Sequence, residues 1–303
     1  MKIKQGLCIS ALMLSLTLLA SCGVNPGVGA SPTPRPKTAA ELLQSSETTM
    51  NKLKFVHVVS NTVVNEDISN LPSQDGQAKS LKIDIGEKLD GDSLLSTQEA
   101  AYNLNTSVDS GTIQQDTAMK LVTQGDKVYV QNKNGTWYVL SKAALDSSLD
   151  NSQLGDFSAL FALAKKGTLN DSGTEKLNGV TVHHLVVTLD KDALKDRLQK
   201  VADSLQAVLG QDAAKSFFDT IQLSKPTLDL WIDESTSRLY QSDLTYGLTL
   251  DLSSLATPTP GASAPSIVIS SDGKSTYSNF DKKVTVTVPA DAIPASSLAE
   301  VGQ

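Results

Sequence analysis

From Phe55 onward the chain keeps returning to a two-residue period. Leu81, Ile83 and Ile85 alternate with Lys82 and Asp84, and Leu228, Leu230 and Ile232 alternate with Asp229 and Trp231. Leu244, Tyr246, Leu248, Leu250 and Leu252 alternate with Thr245, Thr249 and Asp251. Successive side chains of a strand point to opposite faces, so each run is a strand with one apolar and one polar face. FVHVVSNTVV at 55–64 adds a valine-rich strand, with a weaker one expected over Ala101 to Val108. Ala118 to Thr123, Lys127 to Gln131 and Thr136 to Leu140 form a meander, turning at Gln124-Gly125-Asp126 and at Asn134-Gly135, a strong hairpin signal. A long strand is expected from Val180 to Leu189, and late strands at Ile267 to Ser270, Ser275 to Phe280 and Lys283 to Val288.

Helical spacing occupies fewer stretches. Ala39, Leu42, Leu43, Met50 and Leu53 predict an opening helix over Thr38 to Leu53, with Thr38 and Glu41 placed as a capping box. Ser141 to Asp150 and Asp156 to Lys165 follow, the second with Phe157, Leu160, Phe161 and Ala164 on one face. The longest amphipathic run is Lys191 to Leu209, with Asp190 as its cap and Gly210 as its stop, and Asp212 to Ile221 adds a shorter helix. Strands joined by tight turns, with helices at the start and in the middle, give an α+β fold: a single antiparallel sheet with helices packed on one face. A broad sheet covered by few helices must curl, and its concave side encloses a trough that side chains or a ligand fill.

The N-terminus sets the address. Lys2 and Lys4 precede an apolar run from Leu7 to Leu19, which ends in Leu19-Ala20-Ser21-Cys22. This is the pattern of a secretory signal, too short to span a bilayer at ~20 residues. It resembles the lipobox of bacterial lipoproteins, in which the cysteine after the cut carries a diacylglyceryl group. Residues 1–21 are then the signal peptide and Cys22 the palmitate-bearing anchor, on the extracytoplasmic face of the cell membrane. Gly23 to Lys37 (GVNPGVGASPTPRPK) is a proline-rich tether, so 22–37 link the anchor to one domain over 38–303. Within that domain, 255–266 form a low-complexity loop insert containing ATPTPGASAPS. Of the two cysteines Cys8 leaves with the signal, so the domain has no disulfide to rely on and must be held by burial.

Charge and motifs exclude several function classes. The chain has 26 basic and 33 acidic residues, net −7, and loses Lys2 and Lys4 with the signal. That balance speaks against nucleic acid and against adsorption to anionic lipid through a basic surface. G-x-S-x-G, H-E-x-x-H, P-loop and G-x-G-x-x-G patterns are missing, so no catalytic residue, metal site or cofactor is assigned. The three histidines, His57, His183 and His184, are expected as sheet-face residues, with His183 and His184 on opposite faces. Asp90-Gly91-Asp92 lacks the further oxygens of a calcium loop. Sequons at Asn105, Asn134 and Asn170 carry little weight in a bacterial lipoprotein.

Four segments carry a family resemblance. They are Gly173-Thr174-Glu175-Lys176-Leu177-Asn178-Gly179-Val180 running on to His184; Leu230-Trp231-Ile232-Asp233 with Arg238-Leu239; Tyr277-Ser278-Asn279-Phe280 followed by Val284 to Pro289; and the opening helix with Lys52 to His57. Together they resemble the mycobacterial LppX/LprG-like lipoproteins. The resemblance implies a LolA-like half-barrel, a curved antiparallel sheet with helices over its concave face and a lipid or glycolipid between them. An envelope transport protein is the implied partner. The insert near 255–266 and a register shift expected at Leu223 to Thr227 are departures from that pattern. Leu81, Ile83, Leu228, Leu230, Ile232, Leu244, Tyr246 and Leu248 are the expected lining, though the same residues would serve a closed core. A sensor or scaffold module without ligand is the alternative, and an enzyme a distant third.

Overall fold

Long alternating runs build long strands, and twelve of them form one open, curved sheet in the computed structural model. The structure describes residues 35–72, 78–142, 157–194, 198, 221–251 and 264–301. The chain divides into two units, Met1–Pro36 and Lys37–Gln303, and the elements described belong to the second. Cys22, most of the helices expected over Ser141 to Asp150, Asp212 to Ile221 and Lys191 to Leu209, and most of the 255–266 insert lie outside the described residues, although Ser141 itself ends a strand.

In chain order the strands are β1 (Phe55–Pro72), β2 (Ala78–Leu94), β3 (Glu99–Asp109), β4 (Gln114–Gln124), β5 (Lys127–Gln131) and β6 (Trp137–Ser141). After helix α2 (Phe157–Lys166) come β7 (Thr168–Leu177), β8 (Val180–Thr188), β9 (Gln222–Asp233), β10 (Leu239–Asp251), β11 (Ser266–Ser278) and β12 (Ile293–Pro294). They lie side by side in the order β12-β6-β5-β4-β3-β2-β1-β11-β10-β9-β8-β7. Every pairing is antiparallel except the two-residue parallel contact of β12 with β6. β1 and β11, far apart in sequence, meet at the centre over thirteen residue pairs from His57↔Ser278 to Ser69↔Ser266. The fold is α+β, a half-barrel with helices against its concave side.

Helix α1 (Ala39–Met50) starts at a complete capping box, with Glu41 N donating to Thr38 Oγ1 and Thr38 N donating back to Glu41. It buries Leu42, Leu43, Ser46 and Met50. Helix α2 (Phe157–Lys166) buries Phe157, Phe161, Leu163 and Ala164, and Lys165 bonds Glu47 of α1. These apolar faces close over Val56, Val58, Leu185, Val187, Leu228, Leu230 and Ile232 in the main core. Phe157 meets Tyr277 edge to face at 5.2 Å. Full burial of such a side chain contributes roughly 1.5–3 kcal/mol, so this core stabilises the domain without a disulfide. A second core lies over β2–β6, capped by the C-terminal segment with helix α3 (Leu298–Val301).

Several elements depart from sequence expectation. β7 carries a polar, exposed pattern with only Leu169 and Leu177 half-buried; as an edge strand it has little apolar face to read. The two expected strands at 267–270 and 275–280 are one strand, because Ser271 to Lys274 stays in the ladder and Gly273 faces both Thr62 and Leu244. Lys283 to Val288 forms no strand. Asn279 and Asp281 take positive φ of 51° and 57° and end β11, and both neighbours of that strand, β1 and β10, already pair it. The expected register shift is present as an irregularity between Thr245 and Gly247, beside Lys225 at φ 49°. Asp190 Oδ1 accepts from Ala193 N at 2.7 Å at the start of the turn 191–194.

Candidate functional site

Parity along the paired strands decides which side chains share a face. Val58 stands opposite Tyr277 and Gly91, and Gly91 opposite Tyr102. Ser60 stands opposite Ser275 and Leu89, and Ser275 opposite Ser242. All belong to the concave face, and both cores lie on it. A row of hydroxyls crosses its middle: Ser60 bonds Ser275 at 3.0 Å and Ser242 bonds Tyr277 at 2.9 Å. On β2 and β3 Ser93 bonds the Tyr102 hydroxyl. Burial pushes both tyrosine hydroxyls up from their ordinary pKa, so they stay neutral. Gly91 is required here, because a Cβ would sit 2.1 Å from Ala101 O and 2.6 Å from the Tyr102 ring.

One pair further along β1 the face turns polar. Thr62 stands opposite Glu87, Glu87 opposite Thr106, and Thr106 opposite Thr117. Burial of Glu87 holds its carboxyl above the usual range. Beyond this belt the face becomes aliphatic again. Val64, Ile85 and Val108 form one cross-strand row; Ile83 follows beside Glu66, then Leu81 beside Ile68. Among the described residues these six aliphatic side chains are half-buried and belong to neither core.

The expected lining residues all fall on this concave face, in two settings. Leu228, Leu230 and Ile232 are 0 % exposed beneath the helices, and Leu248 is 2 % exposed in the same core. Leu244 and Tyr246 pack partly buried against it. Leu81 and Ile83 stand in the aliphatic patch beyond the belt. Val64, Ile68 and Val108 were not expected there: Asn65, Glu66 and Asp67 interrupt the distal half of β1, and β3 reads weakly throughout. Ile85 was visible in the 81–85 alternation and is the one member that the sequence signal could have added.

The convex face carries the charge. His57 Nδ1 lies 2.7 Å from Asp92 and its Nε2 3.6 Å from Asp90. His184 Nε2 lies 2.6 Å from Asp229, its ring stacked on Trp231 at 4.4 Å, while Trp231 Nε1 donates to Glu175. His183, on the opposite face of β8 from His184, sits 3.3 Å from both Asp171 and Glu234. Among the described residues no hydroxyl is hydrogen-bonded to any of the three, and no histidine, cysteine and carboxylate group could hold a metal ion. A cavity of about 450 Å³ opens against β1–β4, lined by Thr62, Glu87, Thr106 and Thr117 of the belt together with their strand neighbours, among them Asn61, Val63, Gly86 and Asp116. No described helix is long and apolar enough to cross a membrane.

Among solved structures the chain is similar to LprF from Mycobacterium bovis, at 15 % identity and a TM-score of 0.42, covering 84 % of this chain and 97 % of that one. It is also similar to the Mycobacterium tuberculosis lipoprotein LppX, at 16 % identity and a TM-score of 0.38, covering 82 % and 100 %. A putative outer membrane lipoprotein-sorting protein domain from Vibrio parahaemolyticus follows at 11 % identity and a TM-score of 0.24, covering 82 % and 95 %. No family model and no curated protein sequence matches the chain.

Proposed function

We propose that this chain is a membrane-anchored lipoprotein of the extracytoplasmic face whose half-barrel holds an acylated lipid or glycolipid for transport or presentation. One observation carries the reading. The concave face bears an aliphatic patch of Val64, Ile68, Leu81, Ile83, Ile85 and Val108 that, among the described residues, joins neither packed core. Acyl chains would lie on that patch, each buried CH₂ contributing ~0.8 kcal/mol. The belt of Thr62, Glu87, Thr106 and Thr117 offers hydroxyls and a carboxyl where a polar headgroup would begin. Leu244, Tyr246 and Leu248 would extend the lining, while Leu228, Leu230 and Ile232 would form its floor. No bond is made or broken in this work, and Cys22 with the tether 23–37 would keep domain 38–303 at the membrane.

Uptake of a fluorescent fatty acid tests the reading. The parent chain should bind the probe, and Ile83→Asp or Ile85→Asp should abolish binding while the variants still unfold in one cooperative transition. A parent chain that takes up no probe, or variants that bind as the parent does, would contradict it. In that case an envelope sensor or scaffold with a closed trough becomes the better account.

A further inference from the structure

The second core supports a more specific assignment, which rests on the carrier reading. Leu104, Leu121, Val130 and Leu140 lie on the same concave face as the aliphatic patch and pack in one buried cluster with Leu89, Tyr102 and Val128. Among the described residues outside the sheet, what covers them is the chain's own C-terminal segment: Val301 is 5 % exposed within the cluster, and Ala295 and Leu298 pack against it. We propose that β2–β6 form a second acyl-chain subsite and that the segment Ile293–Val301 is its displaceable gate.

The segment's attachment is slight for what it hides. β12 is two residues long and pairs with β6 in parallel, and one of the two is Pro294, which has no N–H to donate. Ala295 N donates to Val139 O at 3.0 Å, and Asn132 Nδ2 reaches Val301 O at 3.4 Å. Helix α3 is four residues long, and a single turn has no stability of its own. Ile293 is 49 % exposed. The preceding residues, 283–289, join no ladder, so the segment can swing away without pulling on β11. The ladders among β1–β11 would survive its release intact. An acyl chain is the fitting occupant, because it would replace Val301 and Leu298 with like surface, while Tyr102 keeps its hydroxyl bonded to Ser93.

The test uses the full chain held in phosphatidylcholine nanodiscs and a fatty acid carrying a diazirine at its tail, with crosslinks mapped by peptide. In the Leu298→Asp/Val301→Asp variant, labelling of the peptides bearing Leu121, Val130 and Leu140 should rise about fivefold or more, because a gate held open removes the closed fraction from the apparent affinity. In the parent chain, the probe should speed amide exchange across Ile293–Val301, a readout that needs no variant to fold. Labelled Leu81–Ile85 peptides with unchanged β4–β6 labelling, or unchanged exchange across the segment, would overturn the gate and leave the carrier reading standing. No labelling on either stretch would overturn both.

Discussion

Leu230→Ala and Ile83→Ala make a paired test of whether the concave face has a filled end and an open end. Leu230 is 0 % exposed in the main core beneath α1 and α2. Its truncation removes apolar contacts and leaves a cavity, at a cost of about 2–5 kcal/mol. Ile83 lies on the same face, half-buried and outside both cores. Three lost carbons at ~0.8 kcal/mol each would total roughly 2.4 kcal/mol if fully buried, so partial burial with no cavity term leaves about 1 kcal/mol. With a urea slope of about 3 kcal/mol/M, the midpoint should fall by about 1 M for Leu230→Ala and about 0.3 M for Ile83→Ala. Equal losses above about 2 kcal/mol would show the patch to be packed core and refute the open end.

Three further outcomes are expected. Gly91→Ala should destabilise strongly, with near-ultraviolet circular dichroism reporting displacement of Tyr102, since the new Cβ would overlap Ala101 O and the Tyr102 ring; a variant with an unchanged midpoint would contradict that packing. Burial alone would push the Asp233 carboxyl up, but bonds from the Thr236 and Ser235 hydroxyls and the Ser235 amide outweigh it and hold the carboxyl below its usual range. Its contribution is therefore full above the unfolded pKa of ~3.9 and lost as pH falls through the lower folded value, so the parent's advantage over Asp233→Asn in urea should be present at pH 6 and shrink by pH 3. Cys22→Ala should incorporate no labelled palmitate and keep its uncut signal segment on a gel; incorporation would remove the anchor from the account.

How legible the fold was in the sequence depended on how lopsided each element is. β2, β9 and β10 alternate cleanly because one face packs and the other meets water, and their side of the sheet could be assigned from residue types alone. β7 escaped because an edge strand that buries almost nothing has no apolar period. Lys283 to Val288 misled for the opposite reason: Val284, Val286 and Val288 alternate as a strand does, yet the central strands they follow were already paired on both sides. Alternation records a local preference for extended backbone, whereas a strand also needs a free edge. The candidate site was half legible. Which face was apolar followed from pattern, but the division into core, hydroxyl belt and outer patch depends on where α1, α2 and the C-terminal segment land, a tertiary fact. Glu66 between Val64 and Ile68 hid the patch in β1.

Native mass spectrometry of the chain, gently purified from a bacterial host, tests the central claim most directly. A hydrophobic ligand in the half-barrel predicts an added mass of one acylated lipid or glycolipid beyond the Cys22 anchor, which survives mild activation in the parent and disappears in Ile83→Asp. A parent chain that carries only its anchor, after gentle preparation and after incubation with host lipid, would contradict it.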